Sequence, residues 1–187
     1  LAESAALFDV LSNGRFEFGI GRGYQWGEFN GFARSLDERV ERFDECIDVI
    51  LRAWSTEEPF THNGKFWQYR DAIPQPRPLQ KPHPPIWMAT VSEDGFDLCV
   101  RNDWGVMLPQ AVPLDIVADW VASYRNTLDR YGKPFAPNKL ILARGLHVGA
   151  DNASALAEFG PPYNEFLELA RRVAQSPGDD ASPMPFG

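Results

Sequence analysis

An arginine set between glycines is the feature of this sequence best suited to chemistry. In Gly21-Arg22-Gly23 the glycines let the backbone approach a ligand, and the guanidinium offers a rigid fork of donors suited to phosphate. The loop continues as Tyr24-Gln25-Trp26-Gly27-Glu28-Phe29, and Trp26 is the tryptophan placed to line a pocket. A solvent-exposed loop arginine is the competing reading. A Rossmann fingerprint fits worse: Gly19 and Gly21 match its start, but Tyr24 holds the third glycine position and no helix is expected there. The second candidate is Ser92, which follows the apolar run Ile86-Trp87-Met88-Ala89-Thr90 and opens a helix. Backbone N–H groups and a hydroxyl at such a junction can hold a phosphate, or can simply cap the helix. Glu93 and Asp94 suit the helix dipole but would repel an anion unless they point away, while Gly95 would admit a close approach.

Other reactive side chains offer less. His62, His83 and His147 have no metal-ligand spacing among themselves or with the cysteines. His62 and His83 fall in a loop excursion and are expected to be solvated; His147 stands near a strand end, where a structural role is the favoured reading. No Gly-x-Ser-x-Gly nucleophile motif is present. Cys46 and Cys99 both lie in amphipathic helix patterns and are expected to stay reduced in the core.

The elements that would position these residues alternate. Leu1, Ala5, Phe8 and Leu11 have helical spacing, Asn13-Gly14 is a helix stop, and the run from Arg15 to Ile20 alternates like a strand. Ser35-Leu36-Asp37-Glu38 has the form of a capping box, followed by the stripe Leu36, Val40, Phe43, Ile47, Ile50 and Trp54. Asn63-Gly64 between apolar residues predicts a hairpin. The proline-rich stretch from Pro74 to Pro85 should run extended over the surface. Strands are predicted at Ile86–Thr90, at Trp104–Leu108 and from Leu140, the last reaching as far as His147. Helices are predicted from Ser92 to about Arg101, from about Leu114 to Tyr131, after Asp151, and from Asn164 to Ala174. Repeated βα units with near-continuous apolar strands imply a parallel sheet covered by helices. A doubly wound open sheet and a closed barrel both satisfy that pattern, and both place ligands at the carboxyl ends of the strands.

Composition narrows the classes. The 187 residues are 44% hydrophobic and 24% charged, ordinary for a soluble globular chain, with a net charge of −8. An acidic chain without a basic run argues against nucleic acid, and no apolar stretch has the length of a membrane span. Asn152-Ala153-Ser154 fits a glycosylation sequon, but nothing else points to secretion, and cytoplasm is the expected location. The length is short for a complete eight-stranded β/α barrel, and the start at Leu1 suggests a chain that begins in the middle of something.

Together these features resemble the luciferase-like flavin monooxygenase family. The resemblance rests on the run from Phe8 to Gly23, on Glu28-Phe29 and Gly31-Phe32, and on Arg39-x-x-Arg42-Phe43-Asp44-Glu45. It continues through Pro76-Arg77-Pro78-Leu79-Gln80 and Pro84-Pro85-Ile86-Trp87-Met88-Ala89, and fades beyond about Val148. It implies an α/β fold, a (β/α)8 TIM barrel, here incomplete, with about strands 4 to 7 and their helices over residues 1–175. Residues 176–187 are expected to form a flexible tail or lid segment. It implies reduced FMN supplied by a separate flavin reductase, O2 and a small organic substrate, with a deazaflavin coenzyme used for hydride transfer as the alternative. A flavin-binding protein without turnover is a third possibility. The cofactor-binding residues implied are Gly21, Arg22 and Gly23 with Val91, Ser92 and Gly95, the last standing where relatives commonly carry a threonine. The family's proposed catalytic histidine would lie in an N-terminal part outside this chain, so no catalytic residue is assigned. A homodimer is the family expectation.

Overall fold

In the computed structural model residues 1–175 are described, and the expected tail or lid segment lies outside them. Helix α1 (Ala2–Leu11) leads into strand β1 (Phe18–Gly21), a short helix α2 (Trp26–Gly31), a 3₁₀ turn (Leu36–Glu38) and helix α3 (Arg39–Ser55). A hairpin follows, β2 (Phe60–Asn63) and β3 (Gln68–Ala72), then β4 (Ile86–Ala89), α4 (Glu93–Asn102), β5 (Gly105–Leu108) and α5 (Leu114–Arg130). A second 3₁₀ turn precedes β6 (Leu140–Leu142), and α6 (Asn152–Ala174) ends the described chain.

The four strands β1, β4, β5 and β6 form one sheet in that order, every pair parallel. Leaving out the hairpin, spatial order follows chain order without reversal. A doubly wound sheet must reverse at its ligand crevice, so this is the topology of a barrel arc. The interval between β1 and β4 holds α2, α3, the hairpin and the proline-rich segment.

Alternation divides the sheet into two faces. Phe18, Ile86, Met88, Val106 and Leu108 point toward the helices and are buried there with Ile47, Ile50 and Trp54 of α3 and Phe96, Cys99 and Val100 of α4. Val117, Tyr124 and Leu128 of α5 close the same core. The other face carries Gly19, Gly21, Trp87, Ala89, Gly105, Met107 and Ile141, with small residues concentrated on β1. Trp87 lies across this face and donates its indole N–H to Glu17. A Cβ on Gly105 would run into the six-membered ring of Trp87, which accounts for the glycine.

Several expectations are corrected. The buried face of α1 is Ala5, Ala6 and Asp9, whereas Leu1, Phe8 and Leu11 are exposed. Small residues face inward because α1 packs closely on α3, where the Trp54 indole donates to the carbonyl of Ala2 at 3.0 Å. The capping box is not reciprocal: Ser35 Oγ accepts from the Asp37 N–H at 3.2 Å, but Glu38 turns to Arg42 one turn along, at 2.8 and 3.0 Å. Helix α3 therefore begins at Arg39, after a 3₁₀ turn. Strand β6 is three residues long and stops before His147. Beyond it α6 is one helix, with Pro161 and Pro162 inside it. Both cysteines are free; Cys99 is buried, and burial pushes its thiol up to about 12.

Candidate functional site

The two loops singled out in the sequence leave adjacent strands. Gly21 pairs with Ala89 in the parallel register, so the chain after β1 and the chain after β4 emerge side by side at the carboxyl edge. Arg22 follows Gly21 directly, and Ser92 caps α4, its hydroxyl accepting from the Gly95 N–H at 3.3 Å. Arg22 reaches across, its Nη1 donating to Asp94 in the first turn of α4. On its other side Nη2 lies 3.9 Å from Asp44 of α3, and the guanidinium stands 5.5 Å from the centre of the Phe43 ring. The structure thus joins the two loops through Asp94, one of the two carboxylates that would repel an anion unless turned away, and it turns toward Arg22.

The glycines have local reasons. Gly23 has a positive φ of 74°, and a Cβ there would come within 2.9 Å of the Phe29 ring, which closes the loop against α2. Gly95 is buried, with the space of a Cβ already taken by the Thr90 side chain. Val91 is half-buried against the core. Trp26 begins α2, whose Gly27 is approached by the backbone and side chain of Val173 near the end of α6.

Electrostatics of the site turn on Arg22. Its side chain is 16% exposed, against 61% for Asp94 and 55% for Asp44. Burial pushes the Asp94 carboxyl up, but hydrogen bonds from Ser92 and Arg22, the arginine charge and the Gly95 amide outweigh it and hold Asp94 below its ordinary value. Asp94 is therefore an anion at neutral pH. Arg22 Nε is buried and lacks a hydrogen-bond partner in the described structure. A buried donor left unmade costs free energy, so this N–H marks a place for an acceptor. One guanidinium with a donor lacking a partner, beside the N-terminus of a ten-residue helix, is a group of donors suited to an anion.

The histidines fall elsewhere. His62, expected to be solvated, is instead held by Glu45 of α3, with Nε2 to Oε1 at 3.1 Å and Arg52 Nη1 3.4 Å from Nδ1. Glu45 also accepts from the N–H groups of Phe66 and Trp67, at 3.0 and 2.9 Å, and so pins the hairpin to α3. This cluster was missed in the sequence. Its signal was present, since Glu45 and Arg52 are two helical turns apart on one face of α3. His83 is half-buried and bonds the Pro84 carbonyl at 2.8 Å. His147 pairs with Glu158 at 2.9 Å and stacks on Phe159, both of α6. Among the described residues no cluster of His, Cys, Asp and Glu could hold a metal ion, and no helix is long and apolar enough to cross a membrane.

Fold and site together define a β/α-barrel segment with an anion-directed arginine at the carboxyl ends of its strands. The sequence profile of the luciferase-like monooxygenases matches residues 1–182, and the chain belongs to that family. It is 45% identical over 172 residues to an uncharacterized protein, y4vJ, of Sinorhizobium fredii, covering 91% of this chain and 46% of that protein. It is 36% identical over 174 residues to the oxygenase component of a flavin-dependent trigonelline monooxygenase of Acinetobacter baylyi, covering 89% and 47%. Among solved structures, monooxygenase RslO1 of Streptomyces bottropensis superposes with a TM-score of 0.75 at 29% identity, covering 92% of this chain and 51% of that one. The chain spans about half the length of the relatives it matches.

Proposed function

We propose that this chain is the cofactor-phosphate-binding part of a flavin-dependent monooxygenase that uses reduced FMN and O2 on a small organic substrate. The observation that carries this reading is Arg22: a family member places a shielded guanidinium, its Nε lacking a hydrogen-bond partner, beside the N-terminus of α4. In this reading Gly21, Arg22 and Gly23 form one side of the phosphate grip, and Val91, Ser92 and Gly95 the other. On the adjoining sheet face Gly19, Gly21 and Ala89 present only small side chains, with the Met107 methyl group reaching over Gly19. The relatives named for FMNH2-dependent or flavin-dependent oxygenation support the cofactor, and the phrase "oxygenase component" supports a separate flavin reductase as partner. A homodimer in the cytoplasm is the assembly and place proposed.

Bound reduced flavin would supply the two electrons with which O2 gives one oxygen atom to substrate and the other to water. This chain's own residues would bind and orient. Arg22 would neutralise the phosphate, the α4 N-terminus would add backbone donors, and Trp87 with Met107 would line the sheet face beside them.

The test compares FMN with riboflavin, which lacks the phosphate, by fluorescence quenching. Arg22→Gln should weaken FMN binding roughly tenfold or more, the value of a charge-assisted hydrogen bond, and leave riboflavin nearly unchanged. Equal losses for both flavins would remove Arg22 from the phosphate site. Oxygen-independent turnover with a deazaflavin would overturn the monooxygenase reading.

A further inference from the structure

We propose that Asp94 is a built-in competitor of the cofactor phosphate: its carboxylate holds Arg22 in the place a phosphate would take, and must swing out for the phosphate to bind. The inference rests on the reading of the Arg22 and Ser92 loops as the phosphate site. Asp94 accepts from Arg22 Nη1 across two loops 72 positions apart, and this contact joins them. The second carboxylate, Asp44, lies farther off at 3.9 Å.

Charge counting makes the competition unavoidable. One guanidinium faces two carboxylates, so the local balance is already negative before any ligand arrives. A phosphate monoester brings about one and a half to two further negative charges. It cannot share the Arg22 fork with Asp94 without strong like-charge repulsion.

Exposure decides which group yields. Arg22 is shielded and stacked near Phe43, whereas the Asp94 side chain is mostly in water, so its bonds to Arg22, Ser92 and the Gly95 amide can be exchanged for bonds to water as it rotates outward. The arginine stays and the aspartate moves. An internal carboxylate of this kind keeps Arg22 aligned while the site is empty and lowers the net affinity for phosphate. It also re-enters as the ligand leaves. That suits a site that must take up and release its cofactor at every turnover rather than hold it permanently.

The test measures dissociation constants of FMN, riboflavin and inorganic phosphate for the purified protein and for Asp94→Asn, Asp44→Asn and Arg22→Gln. Asp94→Asn should tighten FMN and inorganic phosphate by about two- to fivefold, the upper range of a solvent-screened ion pair, with riboflavin changed less than about 1.5-fold. Asp44→Asn, at the longer distance, should give a smaller gain. If Asp94→Asn leaves FMN unchanged or weaker while Arg22→Gln still selectively weakens FMN, the competitor role is refuted and the phosphate site stands. If Arg22→Gln leaves the ratio of FMN to riboflavin affinity unchanged, the site reading falls and this inference falls with it. Near-UV circular dichroism of each variant separates both outcomes from misfolding.

Discussion

Asp9 is fully buried in α1, and both its carboxylate oxygens serve one residue. Oδ2 accepts from the Gln80 backbone N–H at 2.8 Å and Oδ1 from Gln80 Nε2 at 2.7 Å, while the same Nε2 donates to the Phe16 carbonyl at 2.7 Å. The clamp ties α1 to the proline-rich segment and to the approach of β1. Hydrogen bonds to a charged acceptor contribute about 1.5–3 kcal/mol each, which puts the pair at about 3–6 kcal/mol. Removing the carboxylate also returns its desolvation cost, and Gln80 is half-buried, so water can reach part of what is exposed. The expected loss for Asp9→Ala is therefore at the low end, about 3 kcal/mol. Asp9→Asn keeps one acceptor and should lose about half as much. With a urea m-value of about 2 kcal/mol/M, the alanine variant should lower the unfolding midpoint by about 1.5 M. Tryptophan fluorescence, with Trp54 in the adjoining core, follows the transition. A midpoint shift below about 0.3 M for Asp9→Ala, on the same m-value, would refute the clamp as a source of stability.

Two further substitutions probe other contacts. Gly105→Ala places a Cβ against the Trp87 ring and should cost about 1–3 kcal/mol in thermal or urea unfolding, the range for overpacking a filled site. Recovery in the double variant Gly105→Ala, Trp87→Phe would identify the ring as the obstacle. Burial pushes the Glu45 carboxyl up, but the Trp67 N–H, His62 and the Phe66 N–H outweigh it and leave the group below its ordinary 4.5. A depressed carboxyl stabilises the fold above its unfolded value and loses that contribution as pH falls through the folded one. The Phe66 and Trp67 amide resonances should hold steady down to about pH 4.5 and shift below it, a transition absent in Glu45→Gln.

What was legible in the sequence was whatever the side chains announce locally. The stripe ending in Ile47, Ile50 and Trp54 places α3 on the core, and Ser92 caps α4 as its position suggested. The hairpin around Asn63-Gly64 is where turn chemistry put it. Helix α1 was legible in extent but not in orientation, because close packing on α3 buries alanines and leaves its large apolar side chains outside. The two helices expected after Asp151 and from Asn164 are one, α6, which carries Pro161 and Pro162 inside it. At the site, spacing could suggest Arg22 and Ser92 but not that β1 and β4 are neighbours. That adjacency, fixed by register, is what brings Asp94 to Arg22. The Glu45–His62 pair was hidden for the same reason, being a contact between a helix and a distant hairpin.

The long excursion between β1 and β4 has a consequence for the order of folding. Glu17 and Trp87, which meet across that seam, are 70 positions apart, whereas Glu45 and Phe66, which fasten the hairpin to α3, are 21 apart. Loop closure over the longer span costs about 1 kcal/mol more entropy. The helix–hairpin unit can therefore assemble on its own contacts, and the sheet seam closes around it afterwards. Substitutions within that unit should act mainly on the folding rate, while those along the β1–β4 seam should act mainly on the rate of opening. If so, the edge that bears the arginine is the last part of the sheet to form and the first to part.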